Sequence, residues 1–242
     1  MNPQAMEPFG NALVAYFEGD TDAEVVVRRD DGLAAPIPVS HFFRGESAFT
    51  EIEKNAIALC KGHILDIGAG TGLHSMVLQK RGCQVTAIDV SPQAAGIMKM
   101  MGVKDVRYAD VFEFDGGPFD TLLMLGHGIG MAESMVGLDR FLSKARTLLT
   151  EGGQVIMDSL DVRITDSPAN LAYHEANRQA GRYIGEIRMQ FEFHGMKGPF
   201  CGWLQVDDET LSQHSGMAGW QCEIIQRDST GDYLARLTRK PG

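Results

Sequence analysis

Four residues of strand character, Ile64-Leu65-Asp66-Ile67, run straight into the turn Gly68-Ala69-Gly70-Thr71-Gly72, and Leu73-His74-Ser75 opens a helix. No other stretch limits the fold as tightly. A strand, a glycine turn and a helix N-terminus together cradle a nucleotide-like ligand. The glycines have separate tasks: one turns the chain, one lets a ligand approach bare backbone, and one lets the helix sit close on the strand. From Gly68 the spacing is G-x-G-x-G, and Leu73 stands where a dinucleotide fingerprint would carry its last glycine. Asp66, two residues ahead of Gly68, would set a like charge beside a pyrophosphate. It suits a ligand with a cationic end.

S-adenosylmethionine (SAM) is such a ligand, with an ammonium, a sulfonium, one carboxylate and no phosphate. Its carboxylate can take the helix N-terminus, and Asp66 can serve its ammonium directly or through water. The run Leu65-Asp66-Ile67-Gly68-Ala69-Gly70-Thr71-Gly72 resembles the first motif of the class I SAM-dependent methyltransferases. The competing readings of this stretch alone are a tight strand–helix turn without a ligand, or a dinucleotide fold with an altered fingerprint.

The next segments fit the same frame. Gln84 to Ile88 reads as a second strand, followed by Asp89-Val90-Ser91-Pro92. An acid about 20 residues past the glycine loop is placed to accept from both hydroxyls of a ribose. Its bland role would be capping the helix that starts at Ser91 or Pro92. Lys104 to Tyr108 is a short third strand, and Ala109-Asp110-Val111 follows. The resemblance implies that Asp110 contacts the adenine amino group and Val111 packs on the ring. Thr121 to Leu125 is a buried, parallel-type strand, and it ends in Gly126-His127-Gly128. Ligands of doubly wound sheets bind beyond the carboxyl ends of the strands, so this loop borders the reacting methyl. His127 is there a general base, a lining residue of the sulfonium site, or simply a loop histidine. Leu138 to Leu149 is an amphipathic helix, and Glu151-Gly152-Gly153 turns into a fifth strand, 154–157. The family resembled carries a Pro-Gly-Gly or similar turn here. The expected cofactor contacts are therefore Asp66, Gly68, Ala69, Gly70, Gly72, Asp89, Val90, Asp110, Val111, Gly126 and His127.

The flanking segments are less regular. Val25-Val26-Val27 and 34–39 read as a hairpin whose second arm, with Pro36 and Pro38, belongs at an edge. Phe42-Phe43-Arg44 follows, and Phe43 and Arg44 are either a packing plug with a surface cation or a lid over the ligand. Residues 159–181 read as a polar, irregular lid. Residues 182–194 and 199–206 read as two strands of an inserted hairpin over the cofactor pocket, before a last helix at 207–218. Tyr183 and Trp203 either stack on an acceptor or form hairpin core. The segments around Tyr183-Ile184-Gly185-Glu186 and Trp203-Leu204 resemble a bacterial group of class I methyltransferases of unassigned acceptor. The expected fold is α/β: a Rossmann-like, doubly wound, seven-stranded sheet, mostly parallel with an antiparallel last strand, plus an N-terminal extension and a β-hairpin insertion. As one methyltransferase domain, 1–242 divides into an N-terminal extension or lid (1–48), a SAM-binding core (49–158), a lid and hairpin insertion (159–206), and a C-terminal helix with strands six and seven (207–242).

Composition narrows the function. A net charge of −10 argues against a general nucleic-acid binder. No stretch approaches the length of a membrane span, and Met1 to Gly10 carries no signal-peptide pattern. Cys60, Cys83, Cys201 and Cys222 are scattered and read as reduced core thiols of a cytoplasmic protein. No H-E-x-x-H pair points to a metal. The expected function is SAM-dependent methyl transfer to a small-molecule acceptor, releasing S-adenosylhomocysteine (SAH). The oligomeric state stays open, a homodimer included. A neutral thioether leaves, so no acid is needed, but a hydroxyl or ammonium acceptor must lose a proton. Candidate bases are His127, Glu186 and Asp158. The alternatives are a SAM- or SAH-binding protein without catalysis, and an NAD(P)-dependent oxidoreductase.

Overall fold

The structure, a computed structural model, describes residues 2–240; the first residue of the expected N-terminal extension and the last two of the C-terminal segment lie outside the described residues. In chain order the elements are α1 (Glu7–Phe17), β1 (Glu24–Arg29), β2 (Ala34–Pro38), α2 (Glu51–Leu59), β3 (His63–Ile67), α3 (Leu73–Lys80), β4 (Gln84–Asp89), α4 (Pro92–Met101), β5 (Asp105–Tyr108) and β6 (Phe119–Met124). They continue with α5 (Met135–Leu148), β7 (Leu149–Leu160), α6 (Pro168–Gln179), β8 (Glu186–Phe193), β9 (Met196–Lys197), β10 (Cys201–Leu204), α7 (Asp208–Met217), β11 (Trp220–Arg227) and β12 (Asp232–Arg239).

The main sheet has seven strands in the order β11-β12-β7-β6-β3-β4-β5. β3, β4, β5, β6 and β7 pair in parallel, and β12 runs antiparallel to both of its neighbours. This is the expected Rossmann-like sheet, mostly parallel with an antiparallel end. Helices cover both faces, which is why its strands are apolar on consecutive residues. Leu65, Leu122 and Val155 pack with Leu138, Phe141 and Leu142 of α5 on one face. Their sequence neighbours Ile64, Leu123 and Ile156 pack with Ile52 and Ile57 of α2 and Leu78 of α3 on the other.

A second sheet forms over the carboxyl ends of the first. Its order is β10-β8-β1-β2, with β9 pairing β8. β2, with Pro36 and Pro38, is an edge strand, where a missing N–H costs nothing. The N-terminal hairpin and the inserted strands are thus one sheet, joined where Val27 lies opposite Phe191. The segment read as an irregular lid contains α6 instead. Pro168 starts that helix, and Tyr173 fixes it by donating to Asp30 Oδ1 (2.7 Å) and accepting from Arg188 N–H (3.0 Å). Its apolar stripe is narrow, so periodicity alone hid it.

Of the three glycines of the turn, Gly72 carries the packing task. Its φ is +81°, and a Cβ there would lie 2.7 Å from Val103 Cγ2. Gly72→Ala is therefore expected to cost about 2–4 kcal/mol, the sum of left-handed strain and overpacking. Gly82→Ala, with φ +86° but nothing within 4 Å of its Cβ, meets only the strain, about 1–2 kcal/mol. Urea unfolding of the pair checks this; equal losses would contradict it.

Candidate active site

The glycine loop is pinned to the end of β4. Gly68 and Ala69 N–H donate to Ile88 O (2.9 and 3.1 Å), and Gly70 N–H donates to Asp89 Oδ2 (2.9 Å). Asp89 Oδ1 accepts from Ser91 N–H (2.8 Å). Ser91, not Asp89, caps α4, by accepting from Ala94 N–H. Burial pushes the Asp89 carboxyl up to about 6, against the lowering effect of those backbone donors. Asp66 lies under the loop on the α3 side, where it accepts from Ser75 Oγ (2.6 Å), and burial raises it too.

Above this loop, between the carboxyl ends of the main strands and the inner face of the second sheet, lies a cavity of about 740 Å³. Its floor includes Gly68, Gly70, Asp89, Val90, Asp110, Val111, Gly126 and His127. Its roof includes Phe9, Val27, Ile37, Met189, Phe191 and Trp203. Asp66, Ala69 and Gly72 do not line it; they support the loop from behind. Asp110 Oδ1 accepts from Phe112 N–H (2.9 Å), a local turn that presents Val111. Phe112 lines the same end, with the Arg140 guanidinium 4.3 Å from its ring centre.

At the other end, buried Asp158 of β7 holds the loop after β6. Its carboxylate accepts from Gly126 N–H (3.1 Å) and His127 N–H (2.8 Å). His127 adopts a left-handed φ of +57°. This turns its ring toward β12, where Nε2 lies 2.7 Å from Asp232 Oδ1. The register explains the convergence. Leu234 lies opposite Asp158, and Asp232 is two residues from Leu234, so both acids share one face. A carboxylate only accepts, so Nε2 carries the proton and Nδ1 is the acceptor of the neutral ring. Nδ1 has no hydrogen-bond partner among the described residues. Burial would lower His127, but the Asp232 hydrogen bond and the Asp158 charge outweigh it and raise it above the ordinary histidine value. Burial raises Asp158 as well.

A third cluster closes the side next to α2. Arg44 donates to Glu53 Oε1 (2.5 Å) and to His41 O (2.5 Å), and His74 Nε2 lies 2.7 Å from the same Glu53 oxygen. All four residues line the cavity. Glu53 also completes the capping box of α2, accepting from Thr50 N–H (2.8 Å).

Several expected site residues lie elsewhere. Phe43 stacks on Tyr16 with ring centres 4.8 Å apart, and its neighbour Phe42 faces the cavity instead. Thr71 Oγ1 donates to Phe42 O, which latches this segment to the glycine loop. Tyr183 is away from the cavity, donating to Asp207 Oδ2 (2.5 Å). Glu186 is also away, accepting from Met135 N–H (2.9 Å) at the start of α5. Trp203 does line the cavity, and its ring lies so close over Gly130 that no Cβ would fit there. Sequence reading missed Asp232 and Glu53. For Glu53 the capping-box spacing Thr50-x-x-Glu53 was a signal that went unread; no local signal could pair Asp232 with a residue 105 positions away.

Burial alone would raise Glu53, but His74, Thr50 N–H and Arg44 bring it down to about 2. A depressed carboxyl contributes stability that is present above its unfolded pKa and lost as pH falls through the folded one. Glu53→Gln is thus expected to cost about 2–3 kcal/mol at neutral pH. That difference from wild type should narrow between about 4.5 and about 2. Chemical denaturation at several pH values measures it; a pH-independent difference would contradict the ion-pair account.

Residues 65–157 match the family profile described as a methyltransferase domain. A SAM-dependent methyltransferase from Bacteroides fragilis, crystallised with S-adenosyl-L-homocysteine, is 31% identical, with a TM-score of 0.87 over 100% of this chain and 98% of that one. The ubiquinone biosynthesis O-methyltransferase of Dechloromonas aromatica is 28% identical over 114 residues, 44% of this chain and 47% of that protein. The same-named protein of Xanthomonas euvesicatoria is 27% identical over 139 residues, 54% of each. The chain thus spans about half the length of these curated relatives.

Proposed function

This chain belongs to the SAM-dependent methyltransferases, and from that premise we propose that it methylates a hydroxyl oxygen of a small, largely apolar acceptor, with His127 as base and Asp232 orienting it. SAM is its cofactor and SAH its product. The observation that carries the reading is the His127–Asp232 pair, 2.7 Å apart, at the cavity end of β6. The names of the curated relatives, O-methyltransferases, support oxygen as the nucleophile. The apolar roof supports an apolar acceptor.

The residues present fit SAM. Asp89 Oδ2 accepts from Gly70 N–H and Oδ1 from Ser91 N–H, with Val90 N–H also nearby, and a carboxylate has about four acceptor sites, which leaves capacity for a ribose hydroxyl. Gly70 offers bare backbone, with nothing within 4 Å of where its Cβ would stand. Asp110 and Val111 are placed for the adenine edge and face. Asp89 and Asp158 line the cavity and Asp66 lies behind the loop; burial raises all three, an arrangement that a cation relieves. When bound, SAM supplies an electrophilic methyl on a sulfonium.

The chain's own tasks are then alignment, exclusion of water and one proton transfer. Phe42, latched to Thr71, and the second sheet keep water from the cavity. His127 Nδ1 takes the hydroxyl proton of the acceptor, and Asp232 stabilises the imidazolium that results. The imidazolium returns that proton to solvent, since the side chain is 30% exposed. On this reading the segments within 2–48 and 159–206 that line the cavity, with Phe9, Val27, Met189 and Trp203 among their residues, cover the acceptor. Among the described residues no helix is long and apolar enough to cross a membrane. With a net charge of −10 and unpaired cysteines, we place the protein in the cytoplasm.

Two pH dependences test this. His127 is raised, so it accepts a proton only above its folded value. SAH formation across a panel of phenols should therefore climb with pH through a limb above the ordinary histidine value, about 6.5, and then level off. Asp232→Asn should shift that limb to lower pH and reduce the plateau about 10–100-fold. A flat profile, or a limb that Asp232→Asn leaves in place, would contradict the base assignment. In calorimetry, Asp89→Ala should weaken SAM at least about tenfold, or 1.4 kcal/mol. Ribose donors favour the charged carboxylate, so wild-type affinity should hold above about 6 and fall below it. An unchanged affinity in Asp89→Ala would remove Asp89 from the ribose site.

A further inference from the structure

Behind the roof lies a second, smaller cavity of about 130 Å³. It sits among α6, the end of β7 with the loop that follows, and the segment leading into β8. Three residues, Arg29, Ile187 and Gln205, line both cavities, so the two adjoin. Leu160, Val162, Ile164, Ile184 and Ile187 make about half of the small chamber's lining apolar.

Among the polar residues that line the rest, Arg29, Thr165, Asn170 and Tyr173 are hydrogen-bonded, and two are not. His174 is 7% exposed and lines the chamber, yet its ring makes no hydrogen bond among the described residues. Gln205, half-buried, lines both cavities, and its side-chain amide likewise has no partner among the described residues; its backbone N–H donates to Gly185 O (2.9 Å). Buried polar groups are nearly always satisfied, and leaving one unmatched is costly. Arg29, by contrast, is well held. It bonds both oxygens of Asp31 (2.9 and 2.6 Å) and Asn170 Oδ1 (2.9 Å), and its guanidinium lies 4.3 Å from the centre of the Tyr173 ring. It is a fixed wall and not a free cation. Burial, with Arg178 and Arg29 nearby, holds His174 below its ordinary value, so the ring is neutral and offers one donor and one acceptor. The Gln205 amide offers both as well.

We infer that the small chamber is a second acceptor subsite: the methyl acceptor is elongated, and its far end carries an uncharged group that both donates and accepts hydrogen bonds, of the carboxamide class, held by His174 and Gln205. This rests on the acceptor lying under the roof sheet as proposed above. The volume suits it. At about 30 Å³ per water-sized group, the chamber takes about four such groups, enough for a carboxamide and the methylene before it. A carboxylate is disfavoured, because Asp31 already neutralises the nearest guanidinium.

The test uses the full-length protein saturated with SAH and two probe series, 4-alkylphenols and the same phenols with a terminal carboxamide, over a range of chain lengths. Calorimetry gives the affinities. At one or more lengths the carboxamide is expected to bind at least about tenfold tighter than its alkyl counterpart. That advantage should shrink to about threefold or less in His174→Phe and in Gln205→Leu, with SAH affinity unchanged in both. The wild-type comparison stands even if one variant fails to fold. An advantage absent at every length, retained in both variants, or accompanied by no probe binding at all would overturn the subsite. SAH binding and the pH limb of turnover read the methyltransferase assignment separately, so the two failures are distinguishable.

Discussion

The site depends on buried carboxylates that hold backbone N–H groups at the ends of parallel strands. Asp89 at the end of β4 holds Gly70, and Asp158 near the end of β7 holds Gly126 and His127. Each fixes a loop that leaves a neighbouring strand, so the floor of the cavity is rigid before any ligand arrives. Burial raises both acids, which makes this arrangement costly in an empty site. A cationic ligand lowers that cost, and SAM is cationic where NAD is anionic. The scaffold therefore also selects the cofactor.

The roof arises from a different constraint. β1 with β2 and β8 with β10 come from opposite ends of the chain, and none of them is stable as a lone hairpin. Pairing β1 with β8 creates a sheet with one apolar face, contributed by Val27, Ile187, Met189, Phe191 and Trp203. That face cannot pack flush on the main sheet, because the carboxyl ends of the strands carry polar loops. The mismatch is the cavity. Phe9 of α1 and Phe42 meet edge to face with ring centres 4.9 Å apart and close one side.

How far the sequence made this legible differs by element. The glycine turn, the acid at the end of the second strand and the closing antiparallel pair were readable, because each is a local pattern with a local cause. Asp110 and Val111 were reached by resemblance, since an Asp in a loop has no periodicity of its own. The pairing of β1 with β8 was not readable, because it joins segments about 165 positions apart and register carries no short-range mark. The same reason hid Asp232. The choice between Phe42 and Phe43 turned on a 3-10 turn over Val39–Phe43, in which successive side chains diverge, so an adjacent aromatic pair could not say which faced inward. Glu186 looked available on a strand; a helix N-terminus from a distant segment had claimed it.

The most direct measurement is a crystal structure of the protein with SAH and a bound phenol. The expected result has the ribose hydroxyls on Asp89, the homocysteine sulfur facing the roofed half of the cavity, and the phenol oxygen within hydrogen-bond reach of His127 Nδ1. A phenol seated under the roof with its oxygen turned away from His127, or SAH lying anywhere but over the Gly68–Gly72 loop, would contradict it.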